Sequence, residues 1–422
     1  MSENENGLMT PIEMEKYLNT LKTQRQRNAA IDGIINQSPI EAEQVLTEYY
    51  GQDPYLDFDA GVQKFTDLNR FYTGWHHALI AGRTGAGKST LLLTMIKQFL
   101  DRGNQVLLRD DGGLEFRYLA TIFPHRTRVF IPDGCDLNFK GFNCEKAYFK
   151  DAGELLDQLG DNMYPFNVVT YDVFCVDPGL AGTFYGDLFT KLIYRCMSRK
   201  LRFHPRLVFA IMELNDIVQP KGYSITKAHD KVRTLVEYNV RKLRKFNVKM
   251  IAETHRFNQI SINVRSQFDY YFLKKCYGAD TFQFISASLI TANNKVFWAV
   301  LKKIVELPPW NFILFDHNLK FDFYRFGDIP RPDVRCTATG MIQAETKEEK
   351  LSPNAIRIMD TKIVVHKIQN KLTDPEIAKA VGTTIRRVQH VTSIMRTDET
   401  LASMIPKYDR TERKIQELEV PS

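Results

Sequence analysis

The residues Gly82-Arg83-Thr84-Gly85-Ala86-Gly87-Lys88-Ser89, followed by Thr90, have the spacing G-x-x-x-x-G-K-S of a phosphate-holding loop. Its glycines let backbone N–H groups turn toward an anion, and the helix that follows adds the positive end of its dipole. Lys88 is placed to reach β- and γ-phosphates, and the Ser89 hydroxyl to bind Mg²⁺. The chemistry implied is binding of ATP with Mg²⁺, and Gly82 to Thr90 are the candidate nucleotide-binding residues.

Hydrolysis needs more than a cradle: a group to orient or deprotonate water, and positive charge on the γ-phosphate as the transition state forms. Glu213 follows the run Leu207-Val208-Phe209-Ala210-Ile211-Met212, where a carboxylate at the end of a buried strand can face the loop across the sheet edge. It is the candidate water-activating group. Thr254 and His255 close the next apolar run and suit a sensor of the γ-phosphate. Arg256 and Arg265 are candidates to supply charge from one subunit to the next.

These groups require a frame. Ala78–Ala81 reads as a buried strand, residues 88–100 as a helix, and Gln105–Arg109 and Thr127–Ile131 as further strands. Strand-like runs recur at 167–172, 206–213, 248–255, 270–273, 296–301 and 312–315, with helices expected over 182–203 and 226–246. Alternating strands and helices predict an α/β fold, a mostly parallel sheet with helices on both faces. Its ligands lie outside the carboxyl ends of the strands, so the turn Asp110-Asp111-Gly112-Gly113 is expected on the same edge as the loop. The expected organisation is a helical segment over 1–60, a motor domain over 61–328, a Pro- and charge-rich linker over 329–352, a small all-α domain over 353–400 and a charged tail over 401–422. Residues 132–165 read as an insertion with two short amphipathic pieces.

Composition narrows the class. The chain has 422 residues, more than one core usually serves. A net charge of +7 is compatible with a polyanionic partner. Six cysteines without a C-x-x-C pair argue against zinc and for reduced thiols. The polar, acidic start and the absence of a long apolar window predict a cytoplasmic protein with no membrane segment.

The order of these motifs, with Ile251-Ala252-Glu253-Thr254-His255-Arg256 and Val264-Arg265-Ser266-Gln267-Phe268 downstream, resembles the HerA/FtsK superfamily of ring-forming ATPases over residues 70–280. That resemblance implies a RecA-like P-loop NTPase domain, a hexameric homo-oligomer, double-stranded DNA as the partner, and a nuclease, capsid or transfer machinery beside it. The family ends its Walker B strand in Asp-Glu, whereas Met212 stands here in place of the Asp. His255 stands where the family usually has Gln. The Mg²⁺ shell is then left to Ser89 with Asp110 or Glu213.

Residues 371–391 resemble helix-turn-helix and winged-helix domains. Thr373 caps a helix with Pro375 in its first turn, Gly382 permits a tight turn, and Ile377, Val381, Val388 and Val391 fall where two helices touch. The second helix is expected to expose Arg386, Arg387, Gln389, His390 and Thr392, side chains suited to phosphates and base edges. A small helical protein-interaction domain fits the same pattern. An ATP-driven translocase of duplex DNA, for genome packaging, plasmid transfer or DNA processing, is the leading expectation. A nucleotide-switched DNA-binding regulator or partitioning protein is the alternative.

Overall fold

The apolar runs around the phosphate loop become neighbouring strands of one sheet. The structure, a computed structural model, describes residues 9–37, 40–50, 55–57, 67–160, 163–204, 206–220, 224–289, 294–316, 318, 320–342, 360, 362–365, 367, 373–381 and 385–397. Its strands are β1 (Tyr55–Asp57), β2 (Ala78–Ala81), β3 (Gln105–Arg109), β4 (Thr127–Pro132), β5 (Asp136–Lys140), β6 (Glu145–Phe149) and β7 (Phe166–Val169). They continue with β8 (Leu207–Ile211), β9 (Val248–Thr254), β10 (Tyr270–Leu273), β11 (Asn311–Phe315), β12 (Phe321–Arg325) and β13 (Arg335–Thr339). Eleven of them form one sheet in the order β1-β12-β11-β10-β2-β9-β8-β3-β7-β4-β6. From β10 to β6 every pairing is parallel, and β11 runs antiparallel to both its neighbours.

Alternation along the strands gives the sheet two apolar faces. Ala78, Ile80, Val106, Leu108, Val208, Ala210 and Ile251 pack under the helix Lys88–Asp101 with its Leu91, Leu92 and Met95. Leu79, Ala81, Leu107, Phe209, Ile211, Met250 and Ala252 face the opposite layer, which holds the helices Pro178–Met197 and Lys227–Leu243. Buried on both sides, the strands need no polar alternation, which is why they read as continuous apolar runs. This is the α/β, mostly parallel architecture of a P-loop NTPase.

Several expectations change. Val296–Leu301 is not a strand: it lies in the helix Asn294–Glu306. A six-residue apolar run reads equally as either, and here packing against the helix Ala42–Tyr50 covers it, while the Trp298 indole donates to Met9 O at 2.8 Å. The N-terminal helices Pro11–Thr20, Gln24–Gln37 and Ala42–Tyr50 contribute Met14, Leu18, Ile31 and Leu46 to the main core, so the expected helical segment is a layer of the large unit. Residues 132–165 contain β5, β6 and the helix Ala152–Leu159, and β6 is the edge strand of the main sheet. Within the stretch expected to be a linker, β13 pairs antiparallel with β5. The expected strand at 167–172 is β7, and the short helix Tyr171–Phe174 takes over at its end.

Contacts divide the chain into two compact units, 1–344 and 345–422. In the second, the helices Asp374–Val381 and Ile385–Thr397 pack around Ile363, Ile377, Ala378, Val388, Val391 and Met395. Glu376 accepts from the Thr373 backbone N–H at 2.7 Å and so closes the start of the first helix. The tail over 401–422, the turn at Gly382 and most of residues 353–372 of the expected all-α domain lie outside the described residues.

The strand that carries the phosphate loop is tied down at its start. His77 is fully buried; its Nδ1 accepts from the Met250 N–H at 2.9 Å and its Nε2 lies 2.9 Å from Val240 O, so the ring is the neutral Nε2–H form. Asp269 accepts the His77 N–H at 3.1 Å and the Arg244 guanidinium, and neighbours His76. Burial alone would raise the Asp269 carboxyl, but hydrogen bonds from His76 and Arg244 overcome it and hold the group down at about 2. A depressed carboxyl contributes stability that is complete above its unfolded value near 4 and is lost as pH falls through about 2. Denaturant titrations of the parent and Asp269→Asn are expected to differ by about 2 kcal/mol at pH 6 and to converge as pH falls from about 4 toward 2.

Candidate active site

The loop after β2 is shaped by its glycines. Gly85 and Gly87 have φ of +76° and +84°, and Gly87 opens the helix in the left-handed conformation. A Cβ on Gly82 would lie 2.6 Å from Lys274 Cβ, and one on Gly87 2.8 Å from Pro309 O. Lys274 is itself buried below the loop, its ammonium donating to the carbonyls of Pro309 and Asn311. Burial pushes that amine down to about 7. The loop backbone is anchored to the neighbouring strands: Gly82 N donates to Thr254 O at 3.2 Å and Arg83 N to Lys275 O at 2.9 Å.

The carboxyl edges of β2, β9 and β8 bring the other groups to this loop. Lys88 Nζ is 3.5 Å from Glu213 Oε1 and 3.1 Å from His255 Nδ1. His255 Nε2 is 3.0 Å from the same Glu213 oxygen. Lys88 has only protons to offer His255 Nδ1, so Nε2 carries the ring hydrogen and donates to Glu213. Burial and the Lys88 charge both press the His255 pKa down, which keeps the ring neutral at pH 7. Burial raises the Glu213 carboxyl, with Lys88 working against it and Asp111 with it. Thr84 Oγ1 lies 3.4 Å from His255 Nδ1. Thr254 Oγ1 donates to Asn215 Oδ1 at 3.3 Å and to Arg256 O at 3.1 Å, linking the end of β9 to the segment after Glu213. Thr90 is buried and accepts from the Arg331 guanidinium.

Sequence reasoning assigned no role to Glu253. This residue of β9 is fully buried, and its Oε1 accepts the Ser89 hydroxyl at 3.1 Å. Burial lifts its carboxyl to about 8, with Glu213 and Asp111 adding to the rise and Lys88 opposing it. One signal was present in the chain: a carboxylate inside a run of apolar residues is costly unless something compensates it.

Asp110, expected to help hold Mg²⁺, is also fully buried but is committed to its own turn. Its Oδ1 accepts from Gly112 N at 3.0 Å and Leu114 N at 2.8 Å, and its Oδ2 from Phe116 N at 3.4 Å. It forms an Asx turn that opens the helix Phe116–Ile122. The exposed Asp111 is the member of the pair whose charge reaches Glu213, Glu253 and His255. The residues present fit a magnesium ion on one observation: Glu213 Oε2 and Glu253 Oε2 are buried beside Lys88 and Ser89 and have no hydrogen-bond partner among the described residues. Two orphaned carboxylate oxygens at a phosphate loop suit a hard cation and its water.

Arg256 lines a cleft of about 300 Å³ with Arg83, Thr84, His255 and Tyr277 of the same chain. Arg265 lies elsewhere, on a cleft of about 560 Å³ with Arg233, Glu237 and Ser261. In the second unit, Gln389 and His390 are exposed. Arg387 is instead paired bidentately with Asp360, at 3.0 and 2.6 Å, and Thr392 is buried; helix geometry alone does not reveal either. The Arg386 side chain lies outside the described residues.

Glu213 occupies the left-handed region, with φ 45° and ψ 64°, and needs support there. Arg109 supplies it from the end of β3. Its guanidinium donates to Met212 O and, at 3.1 Å, to Glu213 O, while Asp172 takes it on the other side at 2.7 and 3.1 Å. Tyr185 of the helix Pro178–Met197 covers this arginine at 4.9 Å and donates to Asp172. Arg109 is 2% exposed, so removing its partner leaves a buried charge unpaired. Asp172→Ala is expected to lower the unfolding free energy by about 3–5 kcal/mol, and Arg109→Met with Asp172→Leu by clearly less, as read from denaturant melts.

No family model matches this chain, and no curated protein matches it. Among solved structures, one similar to it is the genome packaging NTPase B204 from Sulfolobus turreted icosahedral virus 2 in complex with ATP-gammaS, 15% identical, with a TM-score of 0.38 over 60% of this chain and 98% of that one. VirB4 of Thermoanaerobacter pseudethanolicus is 10% identical, with a TM-score of 0.40 over 64% and 90%. The pCW3 conjugation coupling protein TcpA is 14% identical, with a TM-score of 0.31 over 59% of each chain. Among the described residues, no helix is long and apolar enough to cross a membrane.

Proposed function

We propose that this chain is an ATP-driven motor of the HerA/FtsK type that moves double-stranded DNA, working as a hexameric ring. The observation that carries the reading is the position of Glu213, 3.5 Å from the phosphate-loop lysine and bonded to His255. A triphosphate entering the loop competes for Lys88, which then leaves Glu213 and His255 for the β- and γ-oxygens. Glu213, with its carboxyl raised by burial, is released to accept a proton from the attacking water. His255 holds Glu213 Oε1 through its Nε2–H and so orients the base. Mg²⁺, when bound, neutralises the phosphate oxygens beside Ser89 and draws charge from the leaving group. Thr254, tied to Asn215, transmits the state of the phosphate to the segment after Glu213. Arg256 shares a cleft with Thr84 and His255 and serves its own site, while Arg265, away from that cleft, is the candidate to act on a neighbouring subunit.

DNA contact is assigned to the second unit, read as a helix-turn-helix, through Arg386, Gln389 and His390; Arg387 acts there through its hold on Asp360. The resemblance of residues 70–280 to HerA/FtsK motors supports the duplex substrate and the ring.

ATP turnover with and without duplex DNA tests the whole reading. The parent is expected to hydrolyse ATP faster with DNA and to form rings visible by electron microscopy. Glu213→Gln is expected to bind ATP normally and to turn it over about 100-fold more slowly or worse. Deleting residues 345–422 is expected to weaken duplex binding at low salt and leave ATP binding intact. Parental turnover in Glu213→Gln defeats the base assignment. Tight, sequence-specific DNA binding by a small oligomer with little turnover favours the nucleotide-switched regulator instead.

A further inference from the structure

We propose that Glu253 is the carboxylate that anchors the magnesium of the bound nucleotide, a place one strand away from position 212, where Met212 stands. The inference rests on the reading of this site as one for magnesium and ATP. β8 and β9 run parallel with Ile211 opposite Ala252, so one step further Met212 and Glu253 occupy the same rung. Two residues back on each strand, Ala210 and Ile251 both pack on the face under the helix Lys88–Asp101. By the period of two, Met212 and Glu253 share that face. Glu253 is also level with Ile80 of β2. The carboxylate has therefore kept its height and its face and moved one strand closer to the strand that feeds the phosphate loop.

The chemistry of the donors points the same way. Glu253 Oε1 holds the Ser89 hydroxyl, the group that the loop motif assigns to the ion, and Oε2 is buried without a hydrogen-bond partner among the described residues. Met212 is 1% exposed and offers only a thioether, which a hard cation does not take. Asp110 has both oxygens on loop amides, and Glu213 gives Oε1 to Lys88 and His255. Two carboxylates thus divide the work: Glu253 with Ser89 for the ion, Glu213 with His255 for the water. Position 212 is then free to be apolar, and its methionine joins the core beneath the helix.

Metal binding tests this apart from turnover. The full chain is titrated with Mn²⁺ in the presence of ATP-gammaS and followed by electron paramagnetic resonance; in parallel, affinity for a fluorescent ATP analogue is measured in EDTA and in Mg²⁺. Glu253→Gln keeps the shape of the side chain and an oxygen for Ser89. It is expected to bind nucleotide in EDTA, to lose about 10- to 100-fold in Mn²⁺ affinity, and to lose most of the gain that Mg²⁺ confers. Glu213→Gln is expected to keep its Mn²⁺ affinity within about threefold of the parent, since its oxygens serve Lys88 and water. Parental Mn²⁺ affinity in Glu253→Gln overturns the assignment, as does an equal loss in both variants. If circular dichroism shows that Glu253→Gln fails to fold, Glu253→Asp takes its place, with lowered Mn²⁺ affinity supporting the proposal and parental affinity defeating it. Failure of the parent to bind nucleotide in any condition would instead defeat the ATP reading on which the proposal stands.

Discussion

Two carboxylates and one ammonium, crowded at the edge of a buried sheet, set the terms for everything around them. Burial raises the proton affinity of both Glu213 and Glu253, and the charge of Glu213 adds to the rise at Glu253. Lys88 opposes it at both, helped by Arg109 at Glu213 and by the Ser89 hydroxyl at Glu253. Such a cluster is stable only where the surrounding structure holds it in place. The sheet does so by delivering three strand ends to one point, and the apolar layers on both faces leave these polar groups no other site to occupy. In the proposed mechanism a phosphate arriving in the loop rearranges this balance through Lys88, so that binding and the readiness of Glu213 are coupled by a single side chain.

The support extends outward in ordered shells. Arg109 fixes the peptides on either side of Glu213, Asp172 fixes Arg109, and Tyr185 brings a long helix into the same set of contacts. A change of state at the sheet edge therefore has a direct physical route to the layer opposite the phosphate-loop helix. On the other side, Asp269 and His77 pin the start of β2 to its two flanking strands and to the helix Lys227–Leu243. The loop can respond to its ligand because both ends of its strand are held.

The parts of this site that depend on near neighbours in the chain were readable without coordinates. The phosphate loop is eight consecutive residues, and Glu213 announced itself as a charge closing an apolar strand. What depends on lateral pairing was not readable. Glu253 and Met212 lie 41 positions apart, and only the register of β8 on β9 shows that one stands where the other is expected. Asp110 and Asp111 look alike in the sequence, and the turn they form decides which of them faces the site. The helix Asn294–Glu306 was mistaken for a strand because its cover comes from the N-terminal helices, at the far end of the chain. Arg387 looked free for DNA because its partner, Asp360, belongs to a separate helical segment.

The close approach of Gly87 to Pro309 and of Gly82 to Lys274 bears on how the protein is made. The glycine loop leaves the ribosome early, but the lysine and the carbonyl that wall it in follow roughly 190 to 220 residues later. At typical elongation rates of about 5–20 residues per second, the loop waits on the order of ten seconds or more for its floor. Through that interval the nascent chain carries a nucleotide motif without a nucleotide site. The docking of β10 on β2 and of β11 on β10 brings Lys274 and Pro309 to the loop, so its walls are complete only once that side of the sheet has been synthesised.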